Sequence, residues 1–244
     1  MTDGAAWSAD EMMTVAAARH LVDGEVCFVG IGLPSTAANL ARRAHAPNLV
    51  LVYESGTIGA KPRHLPLSIG DGELAESADA VVSVPEIFNY WLQAGRVDVG
   101  FLGAAQIDQQ GDINTTVIGP YDRPAVRLPG AGGAPEIAAS ARRVIVVVRQ
   151  SLRTFVDQLS FRTSLGDRVT TVITDVGMLG RDPDDGELVL THLHPGASVD
   201  AALDATGWRL RVAGEIQLVE PPTASELATL RELQGSRGRM AAAS

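Results

Sequence analysis

Aromatic side chains make up only 5% of this 244-residue sequence. A core must therefore come from Val, Leu, Ile and Ala, which keep the apolar share at 45%. The shortage also argues against carbohydrate chemistry, which relies on aromatic platforms. A single cysteine, Cys27, excludes an internal disulfide; set among Val26, Phe28 and Val29, it reads as a core residue rather than a reactive thiol. No apolar run reaches the ~18 residues of a membrane span. The acidic start MTDGAAWSADE has no apolar segment of the signal-peptide kind. A cytoplasmic protein with no membrane partner is expected. Positive charge is short as well: 20 Lys and Arg against 29 Asp and Glu leave a formal charge of -9. That argues against nucleic acid as a partner, though not against a small anion held locally.

What is present reads as one α/β domain over residues 1–244, without repeats or a long linker. Ser8 to Glu11 has the pattern of a capping box and opens a helix. EVCFVG is a short apolar strand running into GIGLPS, where Pro34 suits the first turn of the next helix. LVLVY, ADAVVSV, VDVGFLGA and RVIVVVRQ are nearly continuous apolar runs, the mark of strands buried on both faces of a mostly parallel sheet. RVTTVITD, a Gly/Asp turn, ELVLTHLH, a short helix from Val199 and a strand WRLRVA follow. A second capping box, Thr223 to Glu226, opens a last helix, with a frayed tail expected from about 235. The connection from Asp108 to Pro135 is long and irregular, and such loops usually carry function.

Several short stretches invite chemistry. LVYESGTIGAKP ends a buried strand on Glu54, which is either a solvated strand end or a reacting group. VGIGLP puts small residues between strand and helix, where backbone can approach an anion, but it lacks the third glycine of a dinucleotide fingerprint. PGAGGAPEIA can present several N–H groups to a phosphate or oxyanion. It lacks the Lys-Ser/Thr of a P-loop, and no Asp-rich metal site accompanies it. GDINTT carries Asn114, either a donor to substrate or a turn former. In HLHPG two histidines stand at i and i+2, with no third ligand nearby; a solvated strand end is favoured over a metal site. Ser55 is not in a G-x-S-x-G elbow, so an esterase triad is unsupported.

In order, VGIGLP, YESGTIGAKP, LSIGDGELAE, FLGAAQID, GDINTTVIG and RLPGAGGAPEIA resemble the β subunit of family I CoA-transferases, over about Glu11 to Leu230. The ESG form resembles the branch that includes glutaconate CoA-transferase. The resemblance implies an open, mostly parallel sheet covered by helices on both faces, as in the CoA-transferase and sugar-phosphate-isomerase fold group. It implies a heteromeric enzyme, often α2β2, inactive without its α subunit. CoA would move from succinyl-CoA to a keto- or dicarboxylic acid, with 3-oxoadipate foremost and a glutaconate-type acceptor the alternative.

Carried over residue by residue, the resemblance makes Glu54 the nucleophile. It makes the Gly132 and Gly133 N–H groups and the Asn114 amide oxyanion and substrate contacts. Gly30, Gly32, Lys61, Gln106 and Gly130 become candidate CoA contacts, with Arg63 beside Lys61 for phosphate. It implies no metal and no tightly bound cofactor, CoA esters being substrates. Arg96, Arg123 and Arg127 are candidate anchors for an acidic acceptor, or plain surface charge. After FRTSLGD the chain passes almost directly to RVTTVITD, where many relatives carry a longer insert. The rival readings are a hydrolase, decarboxylase or ring-cleaving enzyme on the same fold, and a non-enzymatic ligand-binding module.

Overall fold

The structure is a computed structural model describing residues 7–241, with side chains to residue 235. Helix α1 (Ala9–Arg19) leads to β1 (Val26–Val29), α2 (Leu33–Ala44), β2 (Val50–Val52), β3 (Thr57–Ile58), α3 (Gly72–Glu76) and β4 (Ala80–Val81). A short helix, α4 (Val84–Glu86), continues as a π-helical turn over Ile87–Leu92. Next come β5 (Val99–Leu102), β6 (Gln106–Ile107), β7 (Ile113–Asn114), β8 (Val117–Ile118), β9 (Val126–Arg127), α5 (Ala134–Ser140) and β10 (Arg143–Val147). The chain closes with β11 (Val169–Ile173), β12 (Gly177–Arg181), β13 (Leu188–Leu193), α6 (Val199–Asp204), β14 (Arg211–Leu218) and α7 (Ala224–Ala241).

Ten strands form one sheet in the order β14-β13-β12-β11-β10-β5-β1-β2-β3-β4. The middle, from β11 across to β2, is all parallel, and antiparallel strands extend it on both sides. Burial on both faces explains the continuous apolar runs there. On one face α1, α2 and α7 pack Met12, Val15, Leu40 and Leu230 against the sheet. On the other the π-helical turn, α5 and α6 pack Ile87, Leu92, Ile137 and Ala202. Each large aliphatic side chain so buried is worth ~1.5–3 kcal/mol on transfer from water. Cys27, paired with Leu51 and Val99 in mid-sheet, is fully buried, and burial pushes its thiol pKa up.

Both capping boxes form, Ser8 with Glu11 and Thr223 with Glu226. Glu226 also takes Arg19 at 2.7 Å, tying α7 to α1. Burial works against its charge, but Arg19 and Thr223 hold its pKa at about 2.

Several expectations need correction. ADAVVSV is not a buried strand: only Ala80–Val81 is extended, exposed at the sheet edge, and Ser83 then caps a helix. The supposed Gly/Asp turn between β11 and β13 contains a full strand, β12, whose two glycines hid it. The long connection is not structureless, since β6 pairs β7 and β8 pairs β9 in two small hairpins. His194 is no solvated strand end; it is 3% exposed, with Nε2 2.8 Å from the Thr174 carbonyl. The last helix runs to Ala241, so the tail from about 235 begins as helix, and residues 242–244 lie outside the described residues.

Burial lowers the pKa of both His194 and His20 below the ordinary 6.5. The folded chain therefore resists protons that the unfolded chain accepts, and stability falls as pH drops below 6.5. Glu226 adds a lower limb: its contribution is complete above pH 4.5 and is lost as pH falls toward 2. The melting temperature should fall between pH 7.5 and 5.5, and less steeply in His194→Gln. Equal slopes in the two proteins would exclude His194 as a source.

Candidate active site

β2 ends at Val52, and the chain reverses at once into β3. The Tyr53 N–H donates to the Thr57 carbonyl at 3.0 Å, and the Gly56 N–H donates to the Tyr53 carbonyl at 3.0 Å. Glu54 thus occupies the first corner of a tight β-turn at the C-terminal end of the parallel sheet. Gly56 has φ +102°, and a Cβ there would fall 2.0 Å from the Val82 carbonyl oxygen, so only glycine fits. Tyr53 is fully buried in the α1–α2–α7 core. Its hydroxyl lies 3.0 Å from Ser35 Oγ and accepts from Asn39 Nδ2 at 3.3 Å. An unpartnered buried hydroxyl costs ~1–3 kcal/mol, so these partners fix the root of the turn. Burial raises the phenol pKa.

Glu54, half-buried, lines a cavity of about 470 Å³. Its wall comes from residues 28–31 at the end of β1, Leu102 at the end of β5, Ala105, Ile69, Thr115, Ile137 and residues 129–134. β1 has β2 on one side and β5 on the other, so the sheet's order reverses here. Crevices at such switch points, beyond the carboxyl ends of strands, are where open α/β sheets bind ligands. The wall is apolar, and among the described residues Glu54 is its one charged side chain.

The 130–133 loop lies directly against the carboxylate. A Cβ on Gly132 would sit 3.7 and 3.9 Å from the two Glu54 oxygens. A Cβ on Gly133 would sit 3.4 Å from Glu54 Cδ and 2.7 Å from Phe88 Cζ. Among the described residues, the N–H groups of Gly132 and Gly133 meet no acceptor, and the Glu54 carboxylate has no hydrogen-bond or ion-pair partner. An unengaged carboxylate beside unengaged N–H groups can attack a carbonyl while those donors receive the developing oxyanion.

The other expected residues divide. Gly30 and Gly130 belong to the wall; the Gly30 N–H donates to the Phe101 carbonyl at 3.1 Å. Gly32 lies just outside it, capping α2. Lys61 is exposed and paired with Asp79 at 2.5 Å, in a separate depression of about 540 Å³ shared with Arg63 and His64. Arg96, Arg123 and Arg127 are off the wall, and Arg127 sits 5.0 Å above the Tyr121 ring. Asn114 and Gln106 are buried behind the wall. Asn114 Nδ2 donates to Gln106 Oε1 and to the Val117 carbonyl, both at 2.7 Å, while its Oδ1 accepts from the Thr116 N–H at 2.9 Å. Both amide hydrogens are engaged, so Asn114 here braces the loop and has no donor left for an oxyanion. No group of three His, Cys, Asp or Glu among the described residues is placed to hold a metal.

Phe28, Phe88 and Thr115 are site residues that the sequence reading passed over. Phe88 sits on the π-helical turn, 5.8 Å from the Phe28 ring centroid. A signal existed: Ser83-Val-Pro-Glu86 is a capping box with proline in the first turn, and it forms. Nothing local announces a π-turn.

Residues 10–205 match the family model for coenzyme A transferase. The chain belongs to the coenzyme A transferase family. It is 55% identical to a 3-oxoadipate CoA-transferase subunit of Pseudomonas knackmussii, over 94% of each chain. Its fold matches the crystal structure of glutaconate coenzyme A-transferase from Acidaminococcus fermentans with a TM-score of 0.87 and 28% identity, covering 94% of this chain and 95% of that one. It also matches the decarboxylase AibA/AibB, with a TM-score of 0.83 and 29% identity over 95% and 99%. For a chain of this family, the contact at Gly133 can be tested directly. Gly133→Ala should lower turnover at least ~100-fold by displacing Phe88 or Glu54. Adding Phe88→Ala should recover part of that loss, and absence of any recovery in steady-state kinetics would refute the contact.

Proposed function

We propose that this chain is the β subunit of a heteromeric CoA-transferase that moves CoA from succinyl-CoA to 3-oxoadipate through a glutamyl-CoA thioester on Glu54. The observation that carries the reading is the unpaired Glu54 carboxylate at an apolar cavity, against the free N–H groups of Gly132 and Gly133. The 55% identical relative supports the choice of acceptor and the α-subunit partner.

The chemistry balances without metal or ATP. The Glu54 carboxylate attacks the thioester carbonyl of succinyl-CoA; the C–S bond breaks, CoA thiolate leaves and a succinyl–glutamyl anhydride remains. The thiolate then attacks the glutamyl carbonyl, the C–O bond to succinate breaks, and succinate departs from a glutamyl-CoA thioester. The acceptor carboxylate attacks that thioester, expelling thiolate and forming a new anhydride. Thiolate attack on the acceptor acyl carbon gives acyl-CoA and restores the carboxylate. Splitting the exchange this way replaces one difficult step by easier ones. Each addition places charge on an oxygen that the loop N–H groups can stabilise, and one such donor is worth about 2.7–4 kcal/mol of barrier. The apolar wall keeps water from the anhydride.

The wall offers no cation for the distal carboxylate of a dicarboxylic acid. This supports a site completed by an α subunit, in an α2β2 assembly.

In the co-purified complex, Glu54→Gln and Glu54→Ala should abolish transfer, and the wild type should show ping-pong kinetics with two carboxylates. Wild-type turnover in either variant would remove Glu54 from the reaction, and CO2 release in place of transfer would overturn the reading in favour of a decarboxylase.

A further inference from the structure

The loop that faces Glu54 is gripped at its near end by Thr115, a residue of the same cavity wall. Thr115 touches Gly130 twice: its carbonyl accepts the Gly130 N–H at 2.9 Å, and its Oγ1 donates to the Gly130 carbonyl at 2.8 Å. Both polar groups of Gly130 are thereby engaged, with φ at +110°, a backbone setting that favours glycine. Beyond Gly130 two backbone bonds tie the segment to the start of α5: the Ala134 N–H donates to the Ala131 carbonyl at 3.0 Å and the Ile137 N–H to the Gly133 carbonyl at 2.9 Å. The Thr115 hydroxyl makes the one side-chain hydrogen bond that reaches residues 129–133 among the described residues, and it fixes the end away from that helix. Thr115 is itself fixed on its far side, where its N–H donates to Thr163 Oγ1 at 2.9 Å. The Asn114 bonds to Gln106 and to the Thr116 N–H hold the chain on either side of it.

We infer that Thr115 is a positioning residue, whose hydroxyl sets the placement of the Gly132 and Gly133 N–H groups over Glu54. This rests on the function proposed above. Thr115 takes no proton and forms no bond to substrate in this account. It acts through Gly130, two residues before the first of those donors. Misplacing catalytic groups by about 1 Å can cost ~100-fold in rate, so one hydroxyl holding the loop is enough to matter.

The test uses the complex with its α subunit and compares Thr115→Val, Thr115→Ser and Thr116→Val. Thr116 loses a hydroxyl of the same kind, bonded to Thr163 Oγ1 at 2.8 Å, without touching Gly130. Two readouts are taken: amide hydrogen exchange of residues 129–134, and kcat with KM for succinyl-CoA. Thr115→Val should speed exchange of that segment and lower kcat about 10- to 100-fold, with KM within about twofold. Thr115→Ser should recover most of the rate, and Thr116→Val should leave exchange and kcat near wild type. If Thr115→Val does not assemble, Thr115→Ala carries the same comparison. Unchanged exchange, a loss confined to KM, or an equal loss in Thr116→Val would overturn the inference. A wild-type complex that transfers no CoA would defeat the proposed function, while the exchange data would still decide whether the clamp exists.

Discussion

Gly133 lies between the Phe88 ring and the carboxyl carbon of Glu54, and that gap admits backbone only. The site depends on this contact. It brings a turn at the end of β2 and a loop from a distant part of the chain into van der Waals range with no side chain between. Because the loop contributes backbone, it contributes N–H groups, and because it ends in glycines, those groups come close to the carboxylate. A nucleophile that attacks carbonyl carbon needs such donors on the same side, held before the reaction begins.

The rest of the fold makes that contact possible from two directions. On one side, Tyr53 is anchored under α2 by Ser35 and Asn39, and Gly56 turns tightly beneath Val82, so Glu54 has a fixed root. On the other, the hairpin strands β6 and β7 and the buried Asn114–Gln106 pair set the level of Thr115, which grips Gly130. The parallel centre of the sheet supplies the opening between these supports, at the point where strand order reverses. The apolar wall and its lone carboxylate are the features on which the proposed thioester chemistry rests, since an apolar wall keeps water from reactive intermediates.

Much of this could be read in the sequence, for identifiable reasons. VCFV, VLV, VGFL and the VIVV that follows Arg143 are apolar throughout because both faces of the parallel centre are covered, and the lack of alternation reports that directly. The two capping boxes at the chain's ends are local hydrogen-bond patterns, and local patterns are legible. Glu54 drew notice as a carboxylate at the end of such a strand, where the residues alone allow a solvated strand end or a reacting group. ADAVVSV misled because an apolar run also arises where an edge strand and a helix start leave apolar side chains exposed, as at Val81 and Val84. β12 was hidden by glycines that its neighbours require: a Cβ at Gly177 would strike the His192 carbonyl at 2.1 Å. Asn114 stayed open between donor and turn former because one amide serves equally well in either role, and here its amide hydrogens meet Gln106 Oε1 and the Val117 carbonyl. The Thr115 clamp joins residues fifteen apart through a single hydroxyl, and no local pattern encodes that.

In the proposed mechanism the Glu54 carboxyl group becomes covalently bonded to CoA. Mass spectrometry of the α/β complex mixed with succinyl-CoA, followed by borohydride reduction and peptide mapping, tests it most directly. A CoA adduct before reduction and a reduced glutamate at residue 54 after it are the expected result. Free CoA accumulating beside an unmodified Glu54 peptide would contradict it.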